Sequence, residues 1–334
     1  MSAPKTENLF DLPYLTEIWQ RYTHRDDKHE AGDWRTVKTV LDGLGLPLEE
    51  TIQYLRRQQP RLGEFERWIL ERNDGEIESL RLERLRATID GTPYSDDVTA
   101  MLRAIEESEP VLSAEDLSFW EENGYVVLHD AISPEACRAA ELAVWQHLQM
   151  DAADERTWYQ PSTHGIMQQF FHHPALRRNR RSSRIHKAFA QIWGTADLWA
   201  TVDRVSFNPP ERLNWTFPGP FLHWDTSLSL PIAFGVGGLI YLTDTEAEQG
   251  AFTTVPGFHR RIAAWLNGLP SDADPRDENL EALGAVPIPG RAGDLIIWRE
   301  ALPHGSRPNR CTRPRIVQYL NMHPATPEHN LTWK

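Results

Sequence analysis

The stretch "GPFLHWDTSLSL", residues 219–230, holds His223 and Asp225 one residue apart in an otherwise apolar run. If the run is a strand, alternate side chains share a face, so an imidazole and a carboxylate converge on one point while Trp224 faces the other way. Such a pair supplies two corners of a metal site. A third ligand from a neighbouring strand would complete the two-histidine, one-carboxylate arrangement that leaves coordination positions open at Fe(II). His259, in "TTVPGFHRR", and His304, in "LPHGSRPN", are the candidates for that corner, and spacing does not choose between them.

Around this stretch lie short apolar segments separated by Pro and Gly turns: "ADLWATVDRVSF", "IAFGVGGLIYLTD", "GAFTTVPGFH", "GDLIIW" and "RIVQYLNM". Strands at such spacing without long intervening helices predict an antiparallel sandwich or barrel. The uncharged run Thr226 to Thr243 approaches membrane-span length, but Pro231, Gly235, Gly237 and Gly238 divide it into two strand-length pieces. Upstream, Ser113 with Asp116 three residues later predicts a capped helix leading through Gly124 into the strand "YVVLH". Ser133-Pro134 predicts the start of a second helix carrying Cys137, Leu142, Val144 and Trp145.

The first hundred residues follow a different pattern. Trp34, Val37, Val40, Leu41 and Leu44 recur at helical spacing, as do Leu48, Ile52 and Leu55 before Pro60, and Phe65, Trp68 and Ile69 begin a third face. "DGEIESLRLERLRATIDG" sets Ile77, Leu80, Leu85 and Ile89 against a mixed-charge surface, as a solvated amphipathic helix would. "DGTPYSDD", residues 90–97, has the turn chemistry of a linker. The expected organisation is a helical N-terminal segment over 1–108, shaping either a substrate entrance or a homodimer interface, and a β domain over 109–334.

Composition narrows the partners. The 334 residues carry a formal net charge of −13, which leaves no basic field for nucleic acid phosphates or an anionic membrane. Cys137 and Cys311 are the only cysteines, so neither a disulfide framework nor a thiolate zinc cluster is expected, consistent with a reducing cytoplasm. "MSAPKTENLFDLPYL" is interrupted by Lys5, Glu7 and Asp11 before an apolar core can form and reads as lacking a signal peptide.

The order of a His-x-Asp segment, an "NPP" upstream of it, a Gly-rich strand, a "PG-x-H" turn and "HGS-x-PN" followed by arginine resembles the phytanoyl-CoA hydroxylase family of iron(II) and 2-oxoglutarate dependent oxygenases. The resemblance spans roughly residues 113 to 324 and is densest between 205 and 320. It implies a mainly β core with flanking helices, folded as a double-stranded β-helix (jelly-roll, cupin-like), and metal ligands His223, Asp225 and His304. The stretch between the two histidines, which stand 81 positions apart, would then hold the intervening strands and an insertion near "SDADPRDENLEALG". Where the family turn usually reads "PGSH" this chain has Phe258, and His259 becomes a structural residue.

By the same resemblance Fe(II), 2-oxoglutarate and O2 are the expected cofactors. The far carboxylate of 2-oxoglutarate needs a planar, permanently charged partner, which arginine supplies bidentately. Arg315 matches the family's arginine, although Arg313 has the same strand parity. Ser306 and Tyr241 match positions that touch or line the cosubstrate pocket, and Gln168 and Val205 are assigned to it as well. Related iron halogenases replace the carboxylate with a small residue, so Asp225 favours hydroxylation or another oxidation starting from hydrogen abstraction. The expected activity is oxidation of an unactivated C–H bond of a small molecule, with release of succinate and CO2. The alternatives are a metal-dependent hydrolase on the same ligands, which leaves Arg315 unexplained, or a non-catalytic β-helix binding protein.

Other conspicuous residues receive plainer readings. "RRNRRSSRIHK", residues 177–187, reads as a solvated helix face, with recognition of a substrate phosphate or carboxylate as the sharper alternative. His172 and His173 flank a turn at Pro174. "GVGG" lacks the spacing and the following helix of a dinucleotide site. Trp158, Trp215 and Trp298 lie near pocket-forming segments and are assigned to substrate binding.

Overall fold

The computed structural model describes residues 8–23, 34–159 and 165–325. The opening residues 1–7, part of the stretch read as lacking a leader, lie outside the described residues. No helix among those described is long and apolar enough to cross a membrane.

Among the described residues the chain forms two compact units. The first runs to Ser108 and takes in two later segments, Thr195–Val202 and residues 322–325. Its helices, including Trp34–Gly43, Leu48–Gln58, Leu62–Arg72 and Ser79–Asp90, bury Val37, Val40, Leu41, Leu55, Phe65, Ile69 and Leu85 in one cluster. Trp199 belongs to the same cluster, with the Arg84 guanidinium 3.9 Å above its ring and 2.6 Å from Asp197. Desolvation alone would raise the buried Asp42 carboxyl, but Lys38 at 2.6 Å and His323 at 2.7 Å hold it below the usual carboxylate range. The segments "ADLWATVDRVSF" and "RIVQYLNM" are therefore each two strands, one in each unit, where the sequence suggested one.

The second unit is a β core with flanking helices. In chain order the strands are β1 (Tyr125–Leu128), β2 (Met167–Gln168), β3 (Leu198–Ala200), β4 (Val205–Asn208), β5 (Val236–Tyr241), β6 (Phe252–Thr254), β7 (Val286–Ile288), β8 (Leu295–Arg299), β9 (His304–Gly305), β10 (Arg315–Tyr319) and β11 (Met322–Pro324). A six-stranded antiparallel sheet has the order β1-β8-β5-β10-β4-β2, and a three-stranded sheet has the order β7-β6-β9, while β3 and β11 pair within the first unit. The helix Ala114–Asn123 that leads into β1 begins with the expected capping box: Ser113 Oγ accepts the Asp116 N–H at 3.1 Å and Asp116 Oδ2 accepts the Ser113 N–H at 2.9 Å.

Strand alternation decides what lies between the two sheets. Leu239 and Tyr241 of β5, Ile296 and Trp298 of β8 and Val317 of β10 share a buried cluster with Phe252 of β6 and Ile288 of β7. The intervening residues face the helices: Gln318 of β10 donates to the Leu176 carbonyl and accepts from Asn179. Gly237 has no side chain because a Cβ there would collide with the Trp298 ring crossing over it.

The two sheets are also joined by one polar clamp. The Tyr241 hydroxyl donates to the Ile288 carbonyl at 2.7 Å and accepts the Phe252 N–H at 2.9 Å. Burial pushes this phenol up to about 12 against the opposing field of Arg315, so it stays neutral and both bonds persist. Tyr241→Phe leaves a buried donor and a buried acceptor unpaired and should cost about 2 kcal/mol in an equilibrium urea denaturation; an unchanged midpoint would show that the clamp carries no stability.

Candidate metal centre

The segment 219–230 is not a strand. Prolines 218, 220 and 231 remove backbone donors around it, and only His223 pairs, in a single antiparallel bridge to His304. That bridge is complete: the His223 N–H donates to the His304 carbonyl at 2.9 Å and the His304 N–H donates to the His223 carbonyl at 3.0 Å. It forms because Gly305 follows His304, since a Cβ there would meet the Phe221 carbonyl. Local alternation still holds. Trp224 is buried against Phe258 and Trp265, while His223 and Asp225 turn the other way.

His223, Asp225 and His304 come together with one ligand atom from each lying within 4.8 Å of the others. His223 Nδ1 sits 2.7 Å from the Phe221 carbonyl and His304 Nδ1 3.1 Å from the Leu302 carbonyl. A carbonyl only accepts, so each Nδ1 carries the proton and each Nε2 presents its lone pair. Those two Nε2 atoms lie 3.4 Å and 3.2 Å from the two Asp225 oxygens. Three electron-pair donors thus converge, which is stable only with a cation or with protons among them.

The field follows the same logic. Desolvation opposes ionisation of Asp225, yet its side chain keeps 65% of its exposure, and where protons rather than a cation fill the cluster, Nε2–H donation from the two imidazoles holds the carboxyl far below the usual range. For His223, desolvation is outweighed by Asp225, which raises the imidazole above its ordinary value. His304 is buried, with ring centroids of Trp298 at 5.0 Å and Phe252 at 6.1 Å. The centre is therefore walled on the His304 side and open to solvent on the Asp225 side.

His259 stands apart from this cluster. It lies in the short 3-10 turn Phe258–Arg260, where Nε2 faces the Glu121 carbonyl at 3.2 Å and the ring packs on Gly124. The described geometry thus groups His304, and not His259, with the His223 and Asp225 pair.

A second polar constellation occupies the space between the sheets. Arg315 is fully buried at the start of β10, and its Nη1 donates to the Gly250 carbonyl at 2.5 Å and to Ser306 Oγ at 2.8 Å. Its Nε and Nη2 have no partner among the described residues. Arg313 is exposed, Arg310 sits in the turn near Glu248, and Arg307 pairs through Nη2 with Glu281 at 2.8 Å, so of the arginines near "HGS-x-PN" Arg315 is the one that is fully buried. Register places Asn208 opposite Arg315 and Ser206 opposite Val317, on the same inner face, and Asn208 Oδ1 and Ser206 Oγ are buried without partners as well. These two residues were missed from sequence, although the alternation of polar and apolar side chains in "VSFN" carries the signal.

Register also moves other assigned residues out of that space. Val205 pairs with Gln318 and with Gln168, so both Val205 and Gln168 share the helix-covered face, opposite to Arg315. The Tyr241 hydroxyl is committed to the clamp between the sheets. Trp298 lies on the inner face beside His304 with its Nε1 unpartnered. Trp158 instead donates to the Asp151 carbonyl and lines a cavity of about 630 Å³ with Trp145 and Asp244, whose walls include none of the triad. Trp215 is half-buried against Tyr159 at 6.2 Å. The arginine run lines a groove of about 850 Å³ with residues 130–134 and Ala136, near the start of β8, whereas His304 packs on Trp298 near its end.

Residues 120–317 match the profile of the family described as Phytanoyl-CoA dioxygenase. A curated Dictyostelium discoideum protein whose name carries the same term is 21% identical over 273 residues, covering 65% of this chain and 77% of its own. Among solved structures, iron-bound EctD from S. alaskensis is similar at 18% identity, 67% of this chain, 81% of that chain and a TM-score of 0.48. The non-heme alpha ketoglutarate dependent carbocyclase SnoK from nogalamycin biosynthesis is similar at 21% identity, 65% and 88% coverage and a TM-score of 0.47.

Protons and a metal ion compete for the two Nε2 atoms. Because Asp225 lets His223 keep its proton to higher pH than a free imidazole, affinity for a divalent ion should already fall as pH is lowered from about 8 to about 6. Calorimetric titration with Mn(II) at several pH values measures this, and a pH-independent affinity would exclude the imidazoles as ligands.

Proposed function

The chain belongs to the phytanoyl-CoA dioxygenase family, and from that premise we propose that it is an iron(II)- and 2-oxoglutarate-dependent oxygenase that oxidises a C–H bond of a small molecule. The observation that carries this reading is the buried Arg315, whose Nε and Nη2 stand unpaired in the same interior as a two-histidine, one-carboxylate cluster. A buried guanidinium with open donors is costly unless an anion completes it. A hydrolytic metal site has no use for that anion. A double-stranded β-helix is the arrangement of the two sheets that fits this reading.

In the proposed centre His223, Asp225 and His304 would hold iron(II), and the solvent-exposed Asp225 side is the one from which a cosubstrate or substrate could approach. When bound, iron(II) and 2-oxoglutarate would supply the activation of dioxygen for substrate oxidation, with succinate and CO2 as the products of the cosubstrate. The protein's own part is positional. Arg315 presents Nε and Nη2 as a fork for the distal carboxylate, and Ser306 accepts from Nη1 and so keeps its own O–H to donate to the same anion. Ser206 Oγ and Asn208 Oδ1 line the same face. The Nδ1–H bonds to Phe221 and Leu302 keep both imidazoles turned with Nε2 inward. Trp298 and Phe252 exclude water from the His304 side. Because Asp225 occupies the position that a halide would need, hydroxylation or a related C–H oxidation is our specific proposal.

Anaerobic titration of metal-free protein with Fe(II) and then 2-oxoglutarate tests the reading through the visible charge-transfer band of the chelated keto acid. The band should appear in the wild type and in His259→Ala and be absent in His304→Ala. Arg315→Ala should raise the 2-oxoglutarate concentration needed by about tenfold or more, the loss expected for charge-assisted hydrogen bonds of about 1.5 kcal/mol or more. Iron binding without the band would overturn the proposal.

A further inference from the structure

The two imidazoles of the centre are each held by a backbone carbonyl, but Asp225 has no such support. Its carboxylate touches only the two imidazole rings among the described residues. Its place therefore depends on its backbone, in a segment that bridges its neighbour at His223 and otherwise meets it, among the described residues, through the Ser306 N–H donating to the Pro220 carbonyl at 3.0 Å. In extended chain the carbonyls of residues i and i+2 point to the same side, and an adjacent strand would ordinarily satisfy them. Among the described residues no backbone N–H reaches the carbonyls of Trp224 and Thr226.

A side chain from the segment read as an insertion takes the place of that strand. The short 3-10 turn Pro275–Asp277 is capped by Asp274, whose Oδ1 accepts the Arg276 N–H at 2.9 Å, and Pro275 is buried. From this anchored turn the Arg276 guanidinium donates through Nη1 to the Trp224 carbonyl at 2.9 Å and through Nη2 to the Thr226 carbonyl at 2.8 Å. The planar fork of arginine matches two parallel carbonyls, and a lysine ammonium cannot. The two carbonyls are those on either side of Asp225.

We propose that Arg276 is the positioning residue for Asp225, and that by clamping its flanking carbonyls it fixes the carboxylate in the metal centre. The proposal rests on the metal-centre reading above and adds a specific dependence to it. The sign of the effect separates positioning from charge. A guanidinium near a divalent ion repels it, so if Arg276 contributed only its charge, removing it would tighten metal binding. As a clamp, its removal loosens binding.

The test is a Co(II) titration of the full, metal-free chain, followed by visible d–d absorption, for the wild type, Arg276→Ala, Arg276→Lys and the distant Arg178→Ala. Arg276→Ala should weaken Co(II) binding about tenfold, within the range for loss of a partner that orients a ligand. Arg276→Lys, which keeps the charge and the aliphatic stem but not the fork, should weaken it to a similar degree, and Arg178→Ala should leave it unchanged. Thermal unfolding of each metal-free variant accompanies the titration, and where Arg276→Ala unfolds early the comparison is read from Arg276→Lys. Unchanged or tighter Co(II) binding in folded variants overturns the role of Arg276. Failure of the wild type to bind Co(II) overturns instead the metal-centre reading on which it rests.

Discussion

The centre depends on one pair of backbone hydrogen bonds. The His223–His304 bridge joins a segment that has no other ladder pairing to the end of a three-stranded sheet, with the Ser306 N–H to the Pro220 carbonyl as a flanking contact, and it is the only ladder contact holding the two histidines together among the described residues. Antiparallel partners lie close in Cα position, so two residues 81 apart in sequence acquire adjacent rings without any side-chain contact being required. Gly305 makes that approach sterically possible. Everything further out follows from it: the Nδ1 carbonyl bonds orient the rings, and Asp225 falls between them two residues along.

The space between the sheets combines two environments that ordinarily exclude each other. Leu239, Ile296, Val317 and Phe252 form a dense apolar layer, while Arg315, Ser206 and Asn208 on the same face are buried with donors and acceptors unmet. A core selected for stability alone would avoid this, since each such group costs free energy when dry. Tyr241 marks the boundary, with its ring in the apolar layer and its hydroxyl closing the two sheets together.

Much of this was legible in the sequence because it rests on local rules. Ser113 with Asp116 and Ser133 with Pro134 sit at helix starts, and the β segments follow from short apolar runs between Gly and Pro. The His-x-Asp spacing delivered two side chains to one side even though the segment is irregular, since alternation needs only extended backbone and not a ladder. What escaped was whatever depends on register. Val205 and Ser206 are neighbours, and a one-residue choice of face exchanges a helix contact for an interior position; only the pairing with β10 decides it. The role of the 271–284 segment was likewise hidden, because the two carbonyls that Arg276 meets are backbone groups with no sequence signature of their own.

The first unit has a consequence for how the protein is made. Its helices share their polar contacts with His323, which lies 281 residues beyond its partner Asp42, and its small sheet pairs β3 with β11. A nascent chain emerging from the ribosome can form the N-terminal helices early, but the last strand that completes their unit is translated only after the entire second unit. Contacts of such sequence separation close slowly. Until residues 322–325 are made, Asp42 lacks its His323 partner and β3 lacks its strand partner, so the first unit can be completed only late in the chain.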